Sequence, residues 1–299
     1  MSSAEVAVKV FRRLENEDLR MLHVIEAAMN KHEFVPREQI AKYAKFNLQE
    51  TDFRLSRLNK FGLICKTKGP YVGYTMNYAG YDCLAINAMV KAGVLEAFGK
   101  PLGVGKEADV YDALNPKGEK IAVKFHRLGR ISFRQTIRKR GYVTEHASWF
   151  FQSRLAAKKE FQALKLVFPH KVAVPEPISQ NRHVIAMGMI EGAELVEWKA
   201  IHNPEKILKE ILRNVRKAYL KAGIVHADLS EYNIILKPDM HILIIDWPQY
   251  VTKKHPNAQQ LLTRDVKNVL QYFRRKHKLQ IKFKDALAYV AGTCEMVVS

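Results

Sequence analysis

The chain is constrained most by two short motifs, HADLSEYN at 226–233 and IDWP at 245–248. The first follows an apolar, helix-like stretch and precedes the β-branched run 234–236, which predicts a loop between a helix and a strand. The second motif closes another β-branched run, thirteen residues after Asn233. An ordinary polar turn is the alternative for the first motif, and a turn-capping aspartate for the second. Two motifs at this separation favour one shared site.

Oxygen-bearing side chains in this arrangement suit phosphoryl transfer. That reaction needs an acceptor for the proton of the attacking hydroxyl and ligands for a magnesium ion that bridges the phosphates. Asp228 is the candidate catalytic base and Asn233 a candidate metal ligand. Asp246 is a candidate catalytic carboxylate and a second metal ligand, in the position of the aspartate of the kinase D-F-G motif. Trp247 and Pro248 there replace Phe and Gly.

A glycine-containing segment upstream, LGVGKEADVY at 102–111, supplies candidate contacts for a nucleotide. Glycines let the backbone approach phosphate oxygens, and a valine side chain can pack on adenine. The segment departs from G-x-G-x-x-G at Ala108, and Lys106 does not fit a Walker A motif. The candidate cofactor-binding residues here are Gly103, Val104, Gly105, Lys106, Glu107, Ala108, Asp109 and Val110.

Two charged residues and a hinge complete the predicted nucleotide site. Lys124 ends a V-A-I-K-like strand and would hold the α- and β-phosphates as a compact positive charge. Glu160, in a helix-favouring segment, is its expected partner, and a solvated helix face is the alternative. The order of elements places a hinge between lobes at about 188–192, where Met189 and Ile190, with Met187 just before it, would contact adenine.

The first ninety residues read as a separate unit. A helical stripe covers Asp18–Asn30, Pro36 opens a second helix, and Asn47 caps a third, with a capping-box-like Glu50. A strand, a turn and a strand follow at 63–76. Helices followed by a hairpin predict a winged helix-turn-helix, with the third helix reading a nucleic-acid groove.

The third helix carries the predicted nucleic-acid contacts. We predict that its Arg54, Arg57 and Lys60 point mostly outward and touch nucleic acid. The alternative is a helical domain that docks protein, as other winged helices do.

Beyond Gly93, short strands come first and helices later, which predicts an α+β domain with two lobes. We therefore expect a winged-helix domain at 1–91 and a two-lobed domain at 92–299, which its motifs liken to a truncated protein kinase. Its N-lobe would cover about 92–187, its hinge 188–192 and its C-lobe 193–299. The basic segment Arg127–Ser148 predicts a long mobile loop, with room for some helix.

Charge points to an acidic partner. Forty-nine Lys and Arg against 30 Asp and Glu give a net charge of +19, which favours nucleic acid, with a generally basic surface as the alternative. Three scattered cysteines argue against a zinc site and for a reducing compartment, so we expect a cytoplasmic protein without membrane contact. The sequence leaves the oligomeric state open, with a monomer favoured.

Taken together, the glycine-containing loop, Lys124, HADLSEYN and the run 245–249 (IDWPQ) resemble the RIO family of atypical protein kinases. The chain is similar to the archaeal-like second RIO type, in which a winged helix precedes the RIO domain. The resemblance implies a Ser/Thr kinase and ATPase that uses ATP and Mg²⁺, with Mn²⁺ as a possible substitute. It also implies a role in small ribosomal subunit maturation, with precursor rRNA as a partner, and Asp246 as a phosphoacceptor.

Two rival functions stay open at the level of sequence. One is a small-molecule phosphotransferase of the aminoglycoside or choline kinase kind, which also uses an H-x-D-x-x-x-x-N loop. The basic segment and the winged helix speak against it. The other is a nucleotide-sensing scaffold with an inactive kinase lobe, although the expected catalytic groups are all present.

Overall fold

The computed structural model describes residues 2–67, 71–105, 107–128 and 143–295, with side chains omitted for 143–148. Lys106 and most of the predicted basic loop lie outside the described residues. The chain forms two compact units, one of residues 1–155 and 180–185 and the other of 156–179 and 186–299. None of the described helices is long and apolar enough to cross a membrane.

The first unit begins with a winged helix-turn-helix, as predicted. Its elements are α1 (Ser3–Phe11), α2 (Asn16–Ala28), β1 (Val35–Pro36), α3 (Arg37–Ala44), α4 (Leu48–Lys60), β2 (Ile64–Lys66), β3 (Gly73–Met76) and α5 (Tyr78–Lys91). The Asn47 side chain accepts a hydrogen bond from the Glu50 amide at 2.8 Å and so starts α4. The strands pair in the order β1-β3-β2, which makes the wing. The sequence analysis missed α1 and the short β1.

The prediction that Arg54 and Arg57 point outward is wrong. Arg54 is buried and forms ion pairs with Glu15 at 2.5 Å, Asp18 at 3.3 Å and Glu50 at 2.7 Å. Arg57 lies against Glu15 at 3.0 Å and Asp18 at 3.2 Å. These two guanidinium groups hold α4 against the start of α2, and of the three predicted contacts Lys60 alone is exposed.

The first unit continues into a sheet of order β4-β5-β6-β8-β7. Its strands are β4 (Ala97–Val104), β5 (Ala108–Leu114), β6 (Lys120–His126), β7 (Pro177–Asn181) and β8 (Val184–Gly188), and the boundary between the units cuts through β7 and β8. Helix α6 (Val143–Val167) enters between β6 and β7 in the chain. The predicted loop 127–148 therefore contains helix from Val143 onward, in agreement with the helix that the prediction allowed.

Arg127 also departs from the prediction of a mobile basic loop. It is 2% exposed, and its guanidinium lies 2.7 Å from Asp82 of α5 and 3.5 Å from Asp109 of β5. His183 donates to the other oxygen of Asp82 at 2.6 Å. Because buried charges need partners, this cluster fixes α5 to the sheet.

The second unit is mostly helical. Its elements are β9 (Ala193–Glu194), α7 (Pro204–Leu220), β10 (Ile224–Val225), β11 (Ile234–Leu236), β12 (Ile242–Ile244), β13 (Val251–Thr252), α8 (Ala258–His277) and α9 (Phe283–Ala291). One apolar core joins α7, α8, α9 and the β11–β12 hairpin, and Trp247 and Phe273 are among its largest buried side chains. The mixed α and β architecture matches the predicted fold class.

Candidate functional site

The predicted site residues fall on both units. In the first unit, β4 and β5 form the glycine-containing hairpin. Gly105 donates its amide to the carbonyl of Ala108 at 2.8 Å, which closes the turn. Gly103, Val104, Gly105 and Glu107 are exposed, and a Cβ at Gly103 would meet nothing within 4 Å. The hairpin therefore offers open backbone, which a phosphate group can approach.

Val110 and Lys124 share one face of the sheet. They are cross-strand partners in the β5–β6 register, so their side chains lie side by side. Lys124 is 8% exposed, which restricts the contacts of its ammonium group to a few neighbours.

Asp109, by contrast, is fully buried on the opposite face with Phe125 and Arg127. The nucleotide contact predicted for Asp109 stays a prediction. Its side chain lies on the face opposite Val110 and Lys124, because side chains alternate faces along β5.

In the second unit, Glu160 is buried at 2% exposure on α6. This excludes the solvated helix face that the sequence left open. A buried carboxylate is stable only beside positive charge or hydrogen-bond donors. Glu160 therefore has the environment expected of an ion-pair residue. Helix propensity alone does not reveal this, because Glu is equally favourable on an exposed helix face.

The predicted hinge lies at the end of β8. Met187 is buried, and Met189 and Ile190 are half-buried. The Gly188 amide donates to the Glu176 carbonyl at 2.8 Å and so is not available to a ligand. Gly192 has φ +128°, and a Cβ there would lie 2.4 Å from the Leu236 carbonyl oxygen, so the chain needs glycine where it leaves the hinge.

The 226–233 loop and Asp246 lie at one end of the β11–β12 hairpin. The register pairs Ile234 with Ile244, and the Ile245 amide donates to the Asn233 carbonyl at 3.0 Å. The Asn233 side-chain amide donates to the Asp228 carbonyl at 2.8 Å. The hairpin thus brings Asp228, Asn233 and Asp246 together, as the sequence predicts. Asp246 has φ +66°, a left-handed conformation that is uncommon outside glycine.

His226 connects the two motifs. Its Nε2 lies 2.9 Å from the Ile245 carbonyl, and its Nδ1 lies 3.3 Å from the Asp228 amide. A carbonyl only accepts and an amide N–H only donates, so the neutral ring carries its proton on Nε2. Burial lowers the pKa of His226, which keeps the ring neutral. Its ring packs on Trp247 at 4.5 Å, and this contact gives the tryptophan in the D-F-G position a packing role.

One positioning residue escaped the sequence analysis. Asp265 of α8 is 1% exposed and accepts from the Ala227 amide at 2.8 Å and the Leu229 amide at 3.1 Å, on both sides of Asp228. Arg264 and Asn268 donate to the carbonyls of Ala227 and Leu229. Burial raises the pKa of Asp265 to about 6, although both amide hydrogen bonds act to lower it.

The sequence does contain a signal for Asp265. It falls inside the apolar stripe of α8, between Leu262 and Val266, with Val269 on the same face. A carboxylate within a core-facing stripe must have specific partners.

The donor set of the second unit fits magnesium. Asp228, Asn233 and Asp246 offer hard oxygen atoms, the ligands that Mg²⁺ prefers, with few protein ligands and the remaining positions left to water and phosphate. Asn233 uses its side-chain nitrogen for the Asp228 carbonyl, which leaves its side-chain oxygen for a cation.

Family models match both parts of the chain. The RIO domain matches residues 109–286, and the Rio2 N-terminal domain matches residues 11–92. The chain is 44% identical over 254 residues to the RIO-type serine/threonine-protein kinase Rio2 of Methanocaldococcus jannaschii, covering 83% of this chain and 92% of the relative. It is 39% identical over 274 residues to the serine/threonine-protein kinase rio2 of Schizosaccharomyces pombe, covering 91% of this chain and 79% of the relative.

A solved structure agrees with these matches. The crystal structure of the Rio2 kinase–ADP/Mg²⁺–phosphoaspartate complex from Chaetomium thermophilum superposes with a TM-score of 0.81 at 32% identity, covering 95% of this chain and 89% of that one. The winged helix, the RIO domain and these relatives together show that the chain belongs to the Rio2 family of RIO-type serine/threonine-protein kinases.

Proposed function

We propose that this Rio2 family kinase transfers or hydrolyses the γ-phosphate of ATP. The observation that carries the proposal is the second-unit cluster of Asp228, Asn233 and Asp246, which the β11–β12 hairpin and Asp265 hold in place. Asp228 is exposed beside this cluster and would accept the proton of the attacking hydroxyl or water.

The other predicted site residues would bind and orient the nucleotide. Lys124 would hold the α- and β-phosphates, and Glu160 stays its predicted partner. The exposed glycine-containing hairpin would cover the phosphates, with Lys106 as a further contact, and Val110 would pack on adenine. Met187, Met189 and Ile190 would line the adenine side. Asn233 and Asp246 would hold Mg²⁺, which neutralises charge on the phosphates when bound. Mn²⁺ prefers the same oxygen ligands and would substitute.

Asp246 is also the candidate phosphoacceptor. The related structure from Chaetomium thermophilum is described as a phosphoaspartate complex. In this chain, Asp246 combines a half-buried carboxylate with a left-handed backbone at the end of the hairpin. Attack of its carboxylate oxygen on the γ-phosphorus would form an acyl phosphate and release ADP, and water would then cleave the acyl phosphate to complete ATP hydrolysis.

The proposed setting is the maturation of the small ribosomal subunit in the cytoplasm, with precursor rRNA as the partner. A winged helix and a net charge of +19 support a partner rich in nucleic acid.

The test follows radiolabelled γ-phosphate into protein and into free phosphate, with and without small ribosomal subunits. Asp228→Ala and Asp246→Ala should abolish turnover, and Asp285→Ala, which removes a carboxylate on α9, should not. An alkali-labile, hydroxylamine-sensitive label lost in Asp246→Ala supports the acyl phosphate. An acid-stable label that persists in Asp246→Ala instead indicates Ser or Thr.

A binding measurement tests the nucleotide contacts separately. Lys124→Ala should weaken ATP binding at least tenfold by calorimetry, since a buried phosphate contact is lost. Lys120→Ala removes an exposed lysine from the same strand and is the matched control. Equal ATP affinity for Lys124→Ala and the native chain would contradict the assignment of Lys124.

A further inference from the structure

A groove on the second unit lies outside the candidate site. It has a volume of about 530 Å³ and runs along α7, next to the turn at Lys171 and the β11–β12 hairpin. None of the predicted site residues lines it. We call it the α7 groove and define it by Lys171, Lys206, Arg213 and Lys217.

The cations of the α7 groove lie in a row. Lys206, Arg213 and Lys217 are seven and four residues apart, which places them on one face of the helix. Lys221 follows at the C-cap with the same spacing. The row from Lys206 to Lys217 covers roughly 16 Å at the helical rise per residue. An extended polyanion can therefore contact successive side chains.

The two acidic residues of the groove already have partners within the protein. Glu205 pairs with Lys209 at 2.5 Å, and Glu210 lies 3.3 Å from the His241 ring and accepts from the Ile242 amide. Within the part of the chain that the structure describes, Lys206 and Arg213 have no carboxylate partner, and both are exposed.

Lys217 is held among like charges. Its ammonium group donates to the Lys171 carbonyl at 2.8 Å, which anchors it at the end of the groove. Burial and the neighbouring Arg213 and Lys221 lower its pKa. An anion bound between these side chains would reduce the repulsion between their positive charges, so the groove favours the binding of an anion.

The lining distinguishes between classes of partner. Among the described residues that line the α7 groove, Ala173 is the only apolar one, and none is a Phe, Tyr or Trp. Protein interfaces are centred on buried aromatic and apolar anchors, which this groove lacks. Contacts from rows of Lys and Arg to a phosphate backbone need no such anchor. We infer that the α7 groove binds the phosphate backbone of RNA, an inference that rests on the RNA-rich partner of the proposed function.

The test compares two triple variants of the full chain. Lys206→Gln, Arg213→Gln and Lys217→Gln together remove the row, whereas Lys254→Gln, Lys267→Gln and Lys284→Gln remove the same charge from exposed positions elsewhere on the second unit. Binding of a fluorescein-labelled single-stranded RNA is measured by anisotropy from 50 to 300 mM salt. Circular dichroism and ATP turnover show whether each variant keeps its fold and basal activity.

We expect the α7 groove variant to bind RNA at least tenfold more weakly than the control variant. Its plot of log affinity against log salt should be flatter by about 2, from three lost contacts at about 0.7 each. Equal affinity and slope in the two variants would overturn the inference. So would an unchanged RNA affinity with a lost affinity for polyglutamate, which would assign the groove to an acidic protein. Loss of RNA binding with normal ATP turnover separates this test from that of the phosphoryl-transfer chemistry.

Discussion

At the scale of single residues, His183 shows how burial can override the usual behaviour of a side chain. Its ring is fully buried, stacks on Tyr81 at 4.5 Å and donates from Nε2 to Asp82. Its Nδ1 has no hydrogen-bond partner among the described residues, so a second proton there would be a buried, unpaired donor. Burial lowers the pKa of His183 to about 4, even though Asp82 acts to raise it.

The stability of the protein should therefore depend on His183 at mildly acid pH. The unfolded chain binds a proton near pH 6.5 and the folded chain only near pH 4, so folding loses stability as the pH falls through this window. Between pH 7 and pH 5 we expect a loss of about 2 kcal/mol in the free energy of unfolding. Urea unfolding of the native chain and of His183→Gln at both pH values measures the difference.

The control for this prediction is His202→Gln, which removes an exposed histidine. The pH dependence should be smaller in His183→Gln and unchanged in His202→Gln. An identical pH dependence in all three proteins would mean that the pKa of His183 is the same in the folded and unfolded chains. A larger loss of stability in His183→Gln than in the native chain would mean that His183 is protonated in the folded state and pairs with Asp82 as an ion.

Sequence reasoning at this scale succeeded for residues tied to short motifs and failed for those defined by distant neighbours. The spacing of 226–233 and 245–248 sufficed to group Asp228, Asn233 and Asp246, because one short hairpin joins them. Arg54 was assigned to solvent because it lies off the apolar stripe of α4. Its acidic partners Glu15 and Asp18 come about forty residues earlier, so only the packing of α2 on α4 reveals the ion pairs.

At the scale of elements, different residues of α4 should contribute to stability and to RNA binding. Arg54→Ala should lower the free energy of unfolding by about 2–3 kcal/mol. The change removes one of the two cations that pair with the buried Asp18 carboxylate and leaves only Arg57. Lys60→Ala should leave stability unchanged and weaken RNA binding, because its side chain is exposed on the predicted groove-reading helix. Thermal unfolding and RNA anisotropy on both variants test this, and an RNA defect confined to Arg54→Ala would contradict it.

Helix α8 acts on the 226–233 loop through Asp265. Asn at this position keeps one carbonyl oxygen and presents an amide group to the second backbone N–H, so one of the two hydrogen bonds is lost. Asp265→Asn should therefore displace Asp228 and lower kcat by about 10- to 100-fold with little change in the KM for ATP.

Steady-state ATP turnover measures this split between kcat and KM, with Asp285→Asn as the control. A fall in ATP affinity without a fall in kcat would place the role of Asp265 in nucleotide binding instead of positioning. The sequence could have suggested Asp265 from its place in an apolar stripe, but the partner amides are identified only by the fold.

At the scale of the whole molecule, the excess of 19 positive charges should make binding to ribosomal particles depend on salt much more than ATP turnover does. Association with a ribosomal particle would release counterions from many phosphates, and its affinity should fall steeply with salt. ATP turnover by the free chain depends on groups within hydrogen-bond distance, which salt screens far less. The two measurements should therefore respond differently to ionic strength.

Cosedimentation with small ribosomal subunits at 50 and 200 mM salt tests this prediction. We expect the affinity to fall on the order of 10³-fold, as for proteins that contact six or more phosphates, while turnover without subunits changes by no more than about twofold. A salt-independent affinity would mean that apolar protein contacts hold the complex. In that case, the exposed lysines and arginines of both units would serve solubility, and the winged helix would dock protein through Tyr43 and Phe53, which are exposed on α3 and α4.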